Sequence, residues 1–231
     1  RLAAADHTAG AVGWLDNTVA TPINQQPLGL GSDLVSHSAS KFLGGHADAL
    51  GGVVGGPAEL VETICHFREI NGAALDPMAA YLLLRGMKTL HLRIARQNEN
   101  AMAIARHLQG HKAVNEVFYP GLEGHPGHAT ARRQMAGFGG VLSFTLRGDL
   151  EAVKAFLPRL NLAHRAANLG SVETIAGPPA TTSHVECTPE ERAAMGIPEG
   201  LVRYSVGIED VIDLIADIDK ALEEIARKTD A

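Results

Sequence analysis

Apolar residues fall in two rhythms along this chain. Short unbroken runs bounded by glycine, proline or small polar residues predict strands; apolar residues three or four apart predict helices. Residues 1–7 read as the end of a helix and 10–15, Gly-Ala-Val-Gly-Trp-Leu, as a buried strand. A second strand is predicted over 32–38. A third, over 50–56, is rich in glycine, as where backbones pass closely. Over 59–70 the spacing predicts a helix with Leu60, Ile64 and Phe67 on one stripe. A long helical region runs from Pro77 to about Leu108, and Gly86 predicts a kink or a break in it.

Beyond about residue 110 the pattern changes. Strands at 114–119, 141–146 and 201–206 alternate with helices near 149–159 and 211–227. The last helix is the best marked. Val211, Ile215, Ile218, Leu222 and Ile225 form its apolar stripe, Asp213, Asp217 and Glu224 are expected to face out, and Asp210 is the expected N-cap. Strands alternating with helices indicate an α/β layer architecture.

The 231 residues are 45% hydrophobic and 20% charged, with a net charge of −6, as in a globular protein. There is no basic stripe, so nucleic acid is not an expected partner. No apolar run approaches the roughly 20 residues that span a bilayer, so no membrane partner is expected. Cys65 and Cys187 lie far apart without metal-like spacing and read as free thiols in a reducing cytoplasm. His107 with His111, or His125 with His128, invites a metal reading, but no ligand set converges on either pair, so no metal is expected.

Candidate chemistry concentrates in Ser36-His37-Ser38-Ala39-Ser40-Lys41-Phe42-Leu43-Gly44-Gly45. A strand-like start gives way to small hydroxyl residues, one lysine and a glycine turn. A lysine held in a cleft loses its proton through burial and neighbouring charge, as a Schiff-base lysine requires. Ser38 and Ser40, pointing the same way along an extended strand, would reach one phosphate. An amine beside a phosphate cup is the minimal grip for pyridoxal 5′-phosphate (PLP). Asp16 ends another apolar segment, 25 residues before Lys41. A carboxylate at a strand end can keep a pyridine nitrogen protonated. Taken alone, such a lysine is more commonly a solvated surface residue, and Asp16-Asn17-Thr18 an ordinary strand end with a local cap. Arg203 lies in a mostly apolar strand, where an unpaired guanidinium is costly; its simplest partner would be an acid such as Glu209.

The segments Asp16-Asn17-Thr18-Val19-Ala20-Thr21-Pro22, His37-Ser38-Ala39-Ser40-Lys41, Gly44-Gly45-His46-Ala47-Asp48, Leu84-Arg85-Gly86-Met87-Lys88-Thr89-Leu90, Tyr119-Pro120-Gly121-Leu122 and Leu201-Val202-Arg203-Tyr204-Ser205-Val206-Gly207 resemble, in order, those of the Cys/Met metabolism (trans-sulfuration) PLP enzymes. The resemblance covers essentially the whole chain. It implies a fold-type-I, aspartate-aminotransferase-like α/β fold, with an incomplete PLP-binding large domain (1–92) and a smaller C-terminal domain (93–231). By resemblance, Lys41 carries the cofactor and shuttles protons, Asp16 pairs with the pyridine nitrogen, and Ser38 and Ser40 hold the phosphate. Asn168 and Arg203 bind the substrate α-carboxylate, with arginine preferred for its fork geometry.

The implied activity makes or breaks a C–S bond at the γ-carbon of a homoserine-derived or sulfur amino acid. In-family alternatives are methionine γ-lyase, cysteine lyase and O-acylhomoserine sulfhydrylase; the alternative of another class is a non-catalytic fragment or structural subunit. Cystathionine enzymes commonly carry a glutamate at the position of Ala167 and a serine at that of Asn168. This departure, with Thr181-Thr182-Ser183-His184, leans toward the sulfhydrylases, whereas residues 85–93 lean toward the synthases. The resemblance also implies that the chain is the second part of a longer polypeptide. An N-terminal segment of the same enzyme, in a homodimer or homotetramer, would supply the missing strands, phosphate-binding turn and stacking aromatic.

Overall fold

The structure is a computed structural model that describes residues 7–229, with side-chain surroundings through residue 223. The helix expected over 1–7 lies mostly outside the described residues. Two sheets organise the chain. In the first, β1 (Trp14–Asp16) pairs parallel with β2 (Leu34–Ser38), which pairs antiparallel with β3 (Gly52–Gly55). The register sets Asp16 against Ser36 and Ser38 against Gly52, so the functional ends of β1 and β2 lie together. The second sheet has five strands in the order β4-β5-β8-β7-β6, formed by β4 (Val114–Phe118), β5 (Val141–Leu146), β6 (His164–Arg165), β7 (Ile175–Gly177) and β8 (Leu201–Ser205).

The helix Leu90–Gln109 belongs to both halves. Its first turns send Leu90 and Ile94 into a cluster with Phe42, Leu43 and Leu83. Its last turns send Ala101, Ile104 and Leu108 into the main core, with Phe144, Tyr204 and Ile218. Burial of a large apolar side chain contributes roughly 1.5–3 kcal/mol, so this helix fixes the Lys41 region against the five-stranded sheet.

Several expectations are corrected. Of the strand predicted over 10–15 only Trp14 and Leu15 pair, with Asp16 added, and it is not buried: Val12 and Trp14 are 56% and 62% exposed. The helix Ala58–Asn71 forms, but none of its residues is buried and Phe67 is 68% exposed. The long helical region divides into two helices as expected, Pro77–Met87 and Leu90–Gln109, but the break falls at Lys88-Thr89 rather than at Gly86. Gly86 permits contact instead: a Cβ there would sit 2.1 Å from the Gly44 carbonyl oxygen.

In the last helix, Val211–Thr229, Ile218 and Leu222 are fully buried, and the Asp210 carboxylate accepts the Ile212 N–H at 2.8 Å as an N-cap does. Asp217, expected outside, is buried because its carboxylate accepts the N–H groups of Asn161 and Leu162 at 2.9 and 3.0 Å. Ile225 and Glu224 lie outside the described side chains.

Candidate active site

The lysine turn begins where β2 stops. After Ser38 the chain tightens into the short helical turn Ala39–Leu43, closed by Gly44 N–H to the Ala39 carbonyl (2.9 Å) and Gly45 N–H to the Lys41 carbonyl (2.8 Å). Inside it Lys41 departs from helical geometry, with φ −96° and ψ −126°. The expectation that Ser38 and Ser40 share one extended strand is therefore corrected. The strand ends at Ser38, and the Ser40 hydroxyl accepts the Gly51 N–H at 2.9 Å and lies 3.4 Å from the Gly51 carbonyl.

Lys41 borders two hollows. The larger, about 700 Å³, is lined by Asp16, Thr18, Ser38, Lys41, Phe138 and Leu169 among others. The smaller, about 350 Å³, is lined by Ser40, Lys41, Ala47, Leu50, Ala167 and Asn168. The half-buried amine donates a hydrogen bond to the Asn168 side-chain oxygen. Burial lowers its pKa, and the positive charge of Arg203 lowers it further. A base with a lowered pKa releases its proton at lower pH, so more of Lys41 is the free amine at neutral pH than of a surface lysine.

Asp16 and Thr18 form a unit. The Asp16 carboxylate accepts hydrogen bonds from the Thr18 hydroxyl and, at 2.8 Å, from the Thr18 N–H. These two bonds, and then the nearby His37, hold the Asp16 pKa below its ordinary value. The Thr18 hydroxyl oxygen also accepts the Ser38 N–H at 2.7 Å, tying β1's end to β2's end. Thus the local cap and the exposed anion are both present. His37 is buried, its Nδ1 has no partner among the described residues, and burial lowers its pKa.

Arg203 reaches from β8 toward the loop that carries Asn168. Its Nη2 donates to the carbonyls of Ala167 (2.9 Å) and Asn168 (3.3 Å). The acid once open as its partner is engaged elsewhere: Glu209 accepts from the Thr174 N–H at 2.6 Å and from its hydroxyl at 2.8 Å. Among the described residues no carboxylate is in ion-pair contact with Arg203, and burial lowers its pKa. A partly desolvated guanidinium with unused donors is a site for a carboxylate.

The donor set suits PLP: an amine with a lowered pKa, a carboxylate with a lowered pKa lining the same hollow, the Ser38 hydroxyl, and apolar walls for a ring. Of the histidines, His107 pairs with Asp219 at 2.7 Å and His128 contacts the Pro120 carbonyl at 2.8 Å. Sequence reasoning missed Thr18, whose role needs the β1–β2 register, and Arg93, two of whose carbonyl partners lie some fifty positions away.

A strand-end carboxylate and a turn lysine on this α/β frame define the fold-type-I class of PLP-dependent enzymes, and solved structures agree. The crystal structure of cystathionine gamma synthase from Xanthomonas oryzae pv. oryzae in complex with cystathionine matches with a TM-score of 0.95 at 43% identity, covering 98% of this chain and 59% of that one. Residues 1–223 match the model of the Cys/Met metabolism PLP-dependent enzymes, and the chain belongs to that family. It is 49% identical over 219 residues to cystathionine gamma-synthase 1, chloroplastic, of Nicotiana tabacum, covering 95% of this chain and 41% of that protein. With the L-methionine gamma-lyase of Fusobacterium nucleatum subsp. polymorphum it shares 46% identity over 213 residues, 91% of this chain and 54% of that protein. The chain spans about half the length of these relatives.

Proposed function

We propose that the enzyme containing this chain uses PLP to make or break a C–S bond at the γ-carbon of a homoserine-derived or sulfur amino acid, as cystathionine γ-synthases and γ-lyases do. The observation that carries the reading is Lys41: its depressed amine stands between the Asp16 hollow and the loop of Asn168 and Arg203. When bound, PLP supplies a carbonyl for amines and a pyridinium ring that takes up negative charge.

The chain's own residues do the rest. Lys41 Nζ holds the cofactor at rest, then takes a proton from the substrate Cα and returns it along the carbon chain, a role that requires a free amine near neutral pH. Asp16 keeps the ring nitrogen protonated, and the two Thr18 bonds keep Asp16 ionised for that purpose. Ser38 and Ser40 hold the phosphate, Ser40 by turning its hydroxyl from Gly51. Arg203 forks onto the substrate α-carboxylate, and Asn168, released from Lys41, supports it.

Asp16→Asn tests the ring contact, since it keeps shape and removes charge. The expected loss in kcat exceeds the loss in cofactor affinity by at least about tenfold, the worth of one pKa unit of pairing. Unchanged kcat at saturating PLP would refute the role.

A second reading, chemistry on methionine or an O-acylhomoserine rather than on cystathionine, is favoured by Ala167. It lines the smaller hollow and brings no acid to hold a distal ammonium. Ala167→Glu is expected to raise cystathionine turnover relative to methionine or an O-acylhomoserine by several-fold, on the order of 1 kcal/mol for an added ion pair. An unchanged ratio places distal recognition elsewhere.

We assign 1–92 to the cofactor-binding large domain and 93–231 to the small one, with the remainder of a longer enzyme covering the apolar faces of the first unit. Trp14, Phe67, Ile70 and Leu84 are each more than 60% exposed, which supports partners there. A homodimer or homotetramer in the cytoplasm fits these faces and the two unpaired cysteines. Among the described residues no helix is long and apolar enough to cross a membrane.

A further inference from the structure

Arg93 is the least expected side chain in the first half of the molecule. It lies in the first turn of the helix Leu90–Gln109, is 4% exposed, and has no carboxylate in ion-pair contact among the described residues. A buried cation without a counter-ion is expensive unless its donors are satisfied. Here the donors converge on one place. Nη1 donates to the Phe42 carbonyl at 2.8 Å. Nη2 donates to the carbonyls of Leu43 at 3.1 Å and Gly86 at 2.9 Å. Nε donates to the Thr89 hydroxyl at 3.2 Å, and that hydroxyl in turn donates to the Gly86 carbonyl at 3.2 Å.

Phe42 and Leu43 immediately follow Lys41 and end its turn. The last carbonyls of a helical turn lack backbone donors, and no backbone N–H among the described residues reaches either of these two. The guanidinium therefore closes the turn in which Lys41 holds its non-helical backbone. The fit is close. A Cβ on Gly45, which has φ +75°, would stand 2.1 Å from Arg93 Nη1, and a Cβ on Gly86 would stand 2.1 Å from the Gly44 carbonyl oxygen. Two glycines thus make room for the guanidinium and for the helix end that it grips. Lys41 Nζ hangs from a backbone pinned on its C-terminal side by one side chain from another element.

We propose that Arg93 is a positioning residue for the lysine chemistry: its fork on the Phe42 and Leu43 carbonyls sets where Lys41 Nζ meets cofactor and substrate. The inference rests on the reading that Lys41 carries the cofactor. Arg93 lines neither of the two hollows that Lys41 borders, so its action runs through the turn. A planar fork suits two neighbouring carbonyls better than a single ammonium does.

The test uses the full-length holoenzyme with Arg93→Lys and Arg93→Met. Cofactor occupancy, kcat, KM and the pH midpoint of the visible absorbance of the lysine-linked cofactor are measured for each. With the amine displaced by even about 1 Å, Arg93→Met is expected to lose on the order of 100-fold in kcat per bound cofactor. KM should move less than about threefold, and the absorbance midpoint should shift by about half a unit or more. Arg93→Lys should recover part of both. A merely structural tie would lower occupancy or melting temperature and leave kcat per bound cofactor and the midpoint alone; that result overturns the proposal. If Arg93→Met does not fold, Thr89→Val removes the Nε acceptor and the hydroxyl's own bond to the Gly86 carbonyl, while the Phe42 and Leu43 carbonyls keep their Arg93 donors. It is expected to move the same two quantities in the same direction by less, and unmoved quantities again overturn the proposal. Borohydride trapping in the native enzyme separates the two levels. Cofactor trapped on Lys41 with unaltered variants overturns the Arg93 role alone, whereas cofactor trapped on another lysine overturns the site reading and the Arg93 role with it.

Discussion

Lys41→Ala in the full-length enzyme is expected to reduce turnover at least about a thousand-fold, since it removes the covalent anchor and the proton carrier together. The fold should persist. Lys41 is half-buried and polar, contributes no apolar area to the cluster formed by Phe42, Leu43 and Leu83, and its turn is held by Arg93 and by Gly51 through Ser40. Circular dichroism and melting temperature check the fold; steady-state assay and visible absorbance check the chemistry. A folded Lys41→Ala protein that keeps a borohydride-reducible absorbance would show that another amine does this work.

Arg203→Ala is the second large effect. The guanidinium is partly desolvated, has no carboxylate partner among the described residues, and directs Nη2 at the carbonyls of the loop that also carries the Lys41 contact. Removing one partner of a desolvated charge pair costs about 2–5 kcal/mol, so kcat/KM should fall by about 30-fold or more. The loss should be specific. An amide of the substrate, lacking the α-carboxylate, should react poorly with native enzyme and be little affected by the substitution. If native enzyme handles amide and acid equally well, Arg203 does not bind the carboxylate. Its removal also lifts one of the two causes that depress the Lys41 pKa. The acid limb of the pH–rate profile should then move upward as the amine regains some basicity.

The features legible in the sequence were those set by neighbours along the chain. Strand 141–146 and the Asp210 cap depend on local pattern and appear where periodicity and capping chemistry place them. The nearness of Asp16 to the lysine turn follows from two strand ends in one sheet, which the apolar runs mark. Features that depend on tertiary partners were not legible. Ser40 reads as a free hydroxyl on a strand, yet the chain turns after Ser38 and Gly51 claims the hydroxyl. Asp217 reads as an outward acid, yet two distant N–H groups draw it inside. Arg93 reads as one more cation in a family motif, and only the fold brings it to the carbonyls after Lys41. The stripe of the helix Ala58–Asn71 shows the expected helical spacing, but Leu60 and Ile64 are only half-buried and Phe67 is left exposed.

The chemistry of this site turns on which amine holds the cofactor. The direct measurement is to reduce the native, PLP-loaded enzyme with borohydride, digest it, and locate the phosphopyridoxyl mass by peptide mass spectrometry. The expected result is a single modified peptide, containing Ser38-Ala39-Ser40-Lys41-Phe42, with the mass on Lys41. A phosphopyridoxyl group on any other lysine, with Lys41 unmodified, would contradict the assignment.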